Sequence, residues 1–330
     1  MTDDRPSCCS PARDDADARS SDSATDARSS GHPNAQSSPE AASPLDSRRL
    51  RSLPGGSFTM GTDTEVGFPE DGEGPAREVT LEPFAVSAHA VTNAEFYRFV
   101  RATDYTTDAE RYGWSFVFAD FPTEEARAHT VGTAGDAEWW IGVEGATWFR
   151  PEGPGSSVRD RLSHPVVHVS WNDAVAYCEW AGARLPTEAQ WEYAARGGRE
   201  RTHFPWGDDL EPDGEHRCNV WQGEFPTHNT AADGYEGTAP VDAYDPNGYG
   251  LYNVVGNVWE WCRDWFDPDY HETSADVNPT GPADGEAKSM RGGSYLCHDS
   301  WCNRYRLAAR SQNTPDSSSG NVGFRVVVEP

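Results

Sequence analysis

The chain has 330 residues, with 27 Lys+Arg against 54 Asp+Glu and a formal net charge of −27. That length suits one large domain or two small ones. The acid excess excludes the electrostatic footprint of a nucleic-acid binder or of a protein that rests on an anionic membrane. No stretch approaches the roughly 18 apolar residues of a membrane span.

Lys288 is the one lysine, and every other basic side chain is arginine. Such a surface suits a salt-rich cytoplasm, where ions screen self-repulsion. A halophilic, cytoplasmic protein is expected, and structural disulfides are not.

Residues 1–52 are expected to be a disordered, acidic and Ser-rich tail. The first fifty hold no aromatic, no Val and no Ile, so they cannot bury enough apolar surface to offset the entropy of ordering. The tail lacks an apolar h-region and is not a signal peptide. Cys8 and Cys9 lie in it and are read as incidental. Residues 53–330 are expected to form a single domain, without internal repeat or linker.

Leu53–Met60, LPGGSFTM, reads as a turn into a strand, and Glu78–Val86 as another strand. Thr92 and Glu95 form a capping box, which predicts a helix to about Ala102 with Phe96 and Phe99 turned inward. From Thr103 to Arg161 periodicity is weak and aromatics are frequent, among them Trp114, Phe116, Phe118, Trp139, Trp140 and Trp148. Core packing under loops is the plain reading for most; exposed members suit a peptide groove. Pro165–Val169 is a short apolar run that predicts a strand. Ser170 with Asp173 caps a helix ending near Gly182. Thr187 with Gln190 caps another that ends near Gly197. Cys178 on the first of these is expected to be a small buried hydrophobe. Beyond Gly198 the pattern is irregular, so the fold class is α+β and loop-rich.

The stretch from Arg291 to Arg325, RGGSYLCHDSWCNRYRLAARSQNTPDSSSGNVGFR, carries Cys297 and Cys302 with four residues between them. The pair by itself allows a disulfide, half of a zinc site, two unrelated buried thiols, or a two-thiolate site for Cu(I), which prefers sulfur. No CxxC pair elsewhere completes a zinc set. The stretch is too polar to read as core, and its arginines are expected to line a site.

This run resembles the active-site segment of the formylglycine-generating enzymes, the sulfatase-modifying factors. The resemblance reaches from about Pro54 to the C-terminus, and RLPTEAQWEYAARGG is typical of the same superfamily. It implies a variant of the C-type-lectin-like fold. It implies a copper-dependent oxidase that uses O₂ to convert a cysteine within a Cys-x-Pro-x-Arg motif of an unfolded sulfatase to Cα-formylglycine. By position Cys297 and Cys302 would hold Cu(I), with Ser294 in the catalytic pocket. Trp259, Trp301 and Asn321 would meet substrate. Two structural Ca²⁺ sites are also implied. The first would use Asn219, Asp233 and the carbonyls of Val220 and Tyr235. The second would use Asn253, Glu260 and the carbonyls of Val254, Gly256 and Val258. Relatives of this kind are mostly monomers, so a monomer is expected.

Trp301 stands where the resembled family has Tyr, which removes a hydroxyl that could both donate and accept. The positions that form disulfides in secreted relatives are Ala195, Leu307 and Val326 here, in keeping with a reducing cytosol. No role is assigned to Cys218 or Cys262. A lectin-like module that binds peptide or copper without catalysis is the alternative. An iron-dependent sulfoxide synthase would need a further helical domain, which nothing before residue 54 can supply.

Overall fold

The computed structural model of the chain describes residues 10–16, 45–135 and 137–329. The chain enters through β1 (Leu50–Leu53) and β2 (Gly56–Met60), then β3 (Arg77–Leu81) and β4 (Phe84–Ser87). The run 78–86 is thus two strands rather than one, because Pro83 offers no ladder donor. Next come α1 (Asn93–Thr103) and α2 (Asp108–Tyr112), then β5 (Trp114–Phe118), α3 (Glu124–Arg127), β6 (Thr130–Ala134) and β7 (Ala137–Glu144). Helices α4 (Trp171–Ala181) and α5 (Glu188–Arg196) follow, then the two-residue strands β8 (Gly223–Glu224) and β9 (His228–Asn229). The chain closes with β10 (Trp259–Trp265), α6 (Tyr270–Thr273), β11 (Lys288–Arg291), β12 (Arg310–Asn313), β13 (Val322–Gly323) and β14 (Val327–Val328).

The strands form small sheets joined by long loops. Their orders are β1-β4-β14, β12-β11-β10-β13, β2-β3, β5-β7-β6 and β8-β9. The capping boxes at Thr92, Ser170 and Thr187 are all present, each hydroxyl accepting from the N3 amide. Helices α4 and α5 each end on a left-handed glycine, Gly182 and Gly197. One large core joins Met60, Phe96, Phe99, Tyr177, Trp191, Trp259, Trp261 and Phe324, and Cys178, Cys297 and Cys302 belong to it.

Three expectations are corrected. Val166–Val169 is not a strand: His168 has φ 58°, a left-handed conformation that ends pairing. Its N–H instead donates to Ser319 O (2.9 Å). The expected tail is not wholly unstructured. Ser10–Ala16 packs against the domain with Ser10 buried, and β1 already begins at Leu50. Cys8 and Cys9 lie outside the described residues.

The third correction concerns the arginines of the 291–325 stretch. Arg291, Arg306, Arg310 and Arg325 are buried. Arg291 bridges Glu188 (3.1 Å) and Glu192 (2.6 Å), Arg310 pairs with Glu188 (2.7 Å), and Arg306 with Glu73 (2.6 Å). Arg325 pairs with Glu260. These guanidinium groups are internal struts, since buried charge is tolerated when each partner is paired and hydrogen-bonded. Lys288 is buried as well. Its Nζ lies over Trp265 (3.6 Å) and Trp171 (4.2 Å) and donates to Arg263 O (3.1 Å).

Candidate active site and cation sites

Gly292 and Gly293 carry the chain out of β11 with φ of 96° and 73°. A Cβ on Gly292 would lie 2.9 Å from Val254 O, and one on Gly293 2.9 Å from Tyr305 Cα. Only glycine allows that closeness, so the loop presses against its neighbours from its first residues. Two turns follow. Cys297 N–H donates to Ser294 O (3.0 Å), and Cys302 N–H to His298 O (2.8 Å). Both thiols end up buried in the main core. Burial raises the Tyr305 phenol, and Asp299, Cys297, Cys218 and Cys302 add to the shift.

Ser294 N–H donates to Cys297 Sγ (3.4 Å), a contact that favours thiolate over thiol. The Ser294 hydroxyl oxygen accepts from Asn321 Nδ2 (3.0 Å) and from Leu296 N–H (3.3 Å). Both its lone pairs are then engaged, so the hydroxyl can act toward a bound group only as a donor. Asn321 is held in turn by Ser319 Oγ, which donates to its Oδ1 (2.8 Å). Asn321 O accepts from Trp259 N–H (2.9 Å). Three of the residues carried over from the family thus form one hydrogen-bonded chain. Trp259 joins it through its backbone, and its indole is fully buried.

Trp301 sits apart from that chain, on an aromatic wall. Its ring meets Trp139 edge-on at 4.9 Å and Phe225 at 6.4 Å. Phe225 packs on Trp221 (5.2 Å), whose backbone N–H donates to Cys297 O (3.1 Å). Trp139 was visible in the sequence only as one of many aromatics; nothing local marked it as a neighbour of Trp301. Ser319 and Tyr305 were missed, since their roles depend on contacts that short-range pattern does not show.

Three further thiols lie among the described residues. Cys178, Cys218 and Cys262 are free and buried, and burial raises the pKa of each. Thiols of that kind are unreactive. Among the described residues no group of three or more His, Cys, Asp or Glu could hold a metal. Two sulfur ligands at residues 297 and 302 would fit a soft monovalent ion.

The implied hard-cation sites have a different signature. Asn219 Oδ1 and Asn253 Oδ1 are buried and meet no donor. Each amide is already oriented by its nitrogen, Asn219 Nδ2 donating to Gly237 O (2.8 Å) and Asn253 Nδ2 to Pro240 O (2.9 Å). Orphaned buried oxygens are costly, and a hard cation is what such oxygens would satisfy. Burial raises the Asp233 carboxyl, which accepts from the N–H groups of Val220 and Tyr235 (3.1 Å each). Glu260 is shared: its oxygens accept from Trp191 Nε1 (2.7 Å) and from Arg325. Its Oε1 takes only the Arg325 Nη2 bond (2.7 Å) and keeps a lone pair for a further partner. Segments 219–220 and 253–258 are tied together by a bridge between Asn219 and Gly256.

Small sheets under long loops, with a buried thiol pair on one of those loops, define a loop-rich α+β protein of the C-type-lectin-like kind. The family described as "Sulfatase-modifying factor enzyme 1-like domain" matches residues 36–330, and the chain belongs to it. A protein from Thermomonospora curvata named "Formylglycine-generating enzyme" is 58% identical over 288 residues, covering 84% of this chain and 92% of its own. A Bos taurus relative named "Inactive C-alpha-formylglycine-generating enzyme 2" is 48% identical, covering 83% of this chain and 85% of its own. Among solved structures, PvdO from Pseudomonas aeruginosa superposes with a TM-score of 0.61 at 27% identity, over 85% of this chain and 94% of its own.

Proposed function

We propose that the chain is a formylglycine-generating enzyme: it converts the cysteine of a Cys-x-Pro-x-Arg motif in a sulfatase polypeptide to Cα-formylglycine, with Cu(I) on Cys297 and Cys302 and O₂ as oxidant. The observation that carries the reading is the hydrogen-bonded chain from Ser319 through Asn321 to Ser294 and on to Cys297 Sγ. Two relatives named "Formylglycine-generating enzyme" support the same reaction.

Copper would supply one-electron oxygen chemistry beside the substrate thiol. The protein's part is positional. Ser294 N–H stabilises the Cys297 thiolate, and the Ser294 hydroxyl presents a donor to an oxygen in the pocket. Asn321 holds that serine in place. Trp259 and the core around the thiols exclude water, while Trp301, Trp139 and Phe225 offer flat apolar surface to an extended peptide. Ca²⁺ at the two asparagine-containing sites is structural in this reading. The enzyme acts as a cytoplasmic monomer.

The inactive relative keeps the alternative in view, a module that binds peptide or copper and consumes no oxygen. The test is mass spectrometry of a Cys-x-Pro-x-Arg peptide after incubation with protein, Cu(I), a thiol reductant and air. Conversion to the aldehyde is expected. It should vanish in Cys297→Ser and in Cys302→Ser, with circular dichroism unchanged. Full turnover in either variant would remove the copper-ligand assignment, and peptide binding without oxygen uptake would favour the non-catalytic module.

A further inference from the structure

Ser10–Ala16 lies before the family match, which begins at residue 36. Its composition gives it no apolar reason to order. Ser10 and Pro11 are nevertheless buried, and the contacts responsible are hydrogen bonds and one arginine. Asn313 Nδ2 donates to Ser10 Oγ (2.8 Å), Ser10 O (3.3 Å) and Pro11 O (3.0 Å). Arg13 N–H donates to Ser317 Oγ (2.7 Å). The Arg13 guanidinium lies over the rings of Tyr112 (4.1 Å) and Trp114 (4.4 Å). It donates to Trp114 O (3.4 Å), Asp316 O (3.4 Å) and Ser318 Oγ (3.3 Å). Beyond it, Ala16 bridges to Ala134. This is how an extended peptide is held, by its backbone and one anchoring side chain.

The segment also runs to the active site. Ser10 Oγ meets Ser319 Oγ (3.0 Å), and Ser319 is bonded to Asn321, which is bonded to Ser294. Ser10 is therefore three hydrogen bonds from the hydroxyl beside Cys297. The residue before it is Cys9, and residues 9–13 read Cys-Ser-Pro-Ala-Arg. That is the Cys-x-Pro-x-Arg pattern of the proposed substrate. Cys9 itself lies outside the described residues.

We propose that residues 9–13 are a substrate motif carried in cis: Ser10–Arg13 occupy the cleft meant for the sulfatase peptide and compete with it, and Cys9 is itself converted to formylglycine. This rests on the function proposed above. The Cβ of Cys9 loses two electrons and its C–S bond, with sulfur leaving as H₂S. O₂ takes those two electrons and two more from a pair of reductant thiols, which become a disulfide. One oxygen atom ends in the aldehyde and the other in water. A converted residue 9 has no sulfur to offer the site, so the segment then competes less well and the cleft opens to clients. Cys8 has Ser10 and Ala12 at the positions of the motif's Pro and Arg, so it stays a thiol. The arginine site is assigned by the same contacts: Tyr112, Trp114 and the carbonyls of residues 114 and 316 would receive the arginine of a client.

The experiment uses the full chain with Cu(I), a thiol reductant and air, beside a separate Cys-x-Pro-x-Arg peptide. Mass spectrometry and an aminooxy probe read residues 8 and 9. An aldehyde at residue 9 and a thiol at residue 8 are expected, at a rate constant independent of protein concentration. Arg13→Ala should slow this self-conversion at least tenfold while turning over the separate peptide. A second readout needs no metal: a fluorescent Ser-x-Pro-x-Arg peptide should bind metal-free Arg13→Ala about tenfold more tightly than the parent chain, since a tethered competitor acts at millimolar effective concentration. An intact Cys9 thiol with the separate peptide converted would overturn self-modification. Equal peptide affinity in the two proteins would overturn docking in the shared cleft. If neither cysteine is converted, the proposed function falls and this inference with it.

Discussion

His168 shows what one residue can do that periodicity hides. It lies in a short apolar run that reads as a strand, yet its left-handed backbone turns its N–H to Ser319 O (2.9 Å) and its Nδ1 to Ser115 Oγ (2.9 Å). Ser319 then reaches Asn321 and, through it, Ser294. Burial lowers the His168 pKa to about 4. The folded state therefore keeps the ring neutral while the unfolded chain, with an ordinary histidine near 6.5, takes up a proton. Stability from this group is complete above about pH 6.5 and is lost as pH falls toward 4, by about 3 kcal/mol in all. Thermal melts across that window should show the parent losing stability more steeply than His168→Gln; parallel curves would remove His168 as the cause. The arginines make the same point. Arg291 and Arg310 look like site-lining residues in a polar stretch, because the carboxylates that bury them sit about a hundred residues earlier.

At the scale of elements, what was legible was what is local. The capping boxes at Thr92, Ser170 and Thr187 set three helix starts, because the cap and its N3 partner are within one turn of each other. The sheet of β5, β6 and β7 was not legible, since β5 is covered on both faces and shows no alternation: Ser115, Phe116, Val117 and Phe118 are all buried. Helix α5 and strand β11 are joined through Glu188, which accepts from Arg291, Arg310 and Ser289. Although burial opposes ionisation, these arginines hold the Glu188 carboxyl below the usual carboxylate range. Glu188→Gln leaves two guanidinium groups short of countercharge in the core. It should cost about 3–5 kcal/mol in urea unfolding. Glu329→Gln, which removes an exposed partner of Arg184, should cost under about 1 kcal/mol. Equal losses would show that the buried pairs add nothing special.

For the whole molecule, many short sheets and long loops must be locked together without described disulfides. The family was legible because its active-site run is long; the cation sites came only with the family, and the orphaned oxygens of Asn219 and Asn253 are what the structure adds to them. A cation that binds only the folded chain stabilises it by about 3 kcal/mol at a hundredfold excess over Kd. Chelation with a strong Ca²⁺ ligand should therefore lower Tm by about 5 °C or more, reversibly on adding Ca²⁺. An unchanged Tm would count against both sites.

Lys288, clasped between Trp171 and Trp265, bears on the fate of a carbonyl product. Aldehydes condense with primary amines, and most proteins display dozens of them. Here the single side-chain amine is sealed between two indoles, and arginine does the work of cation everywhere else. On the function proposed above, a newly made aldehyde therefore meets no surface lysine that could trap it as an imine, and it leaves unencumbered.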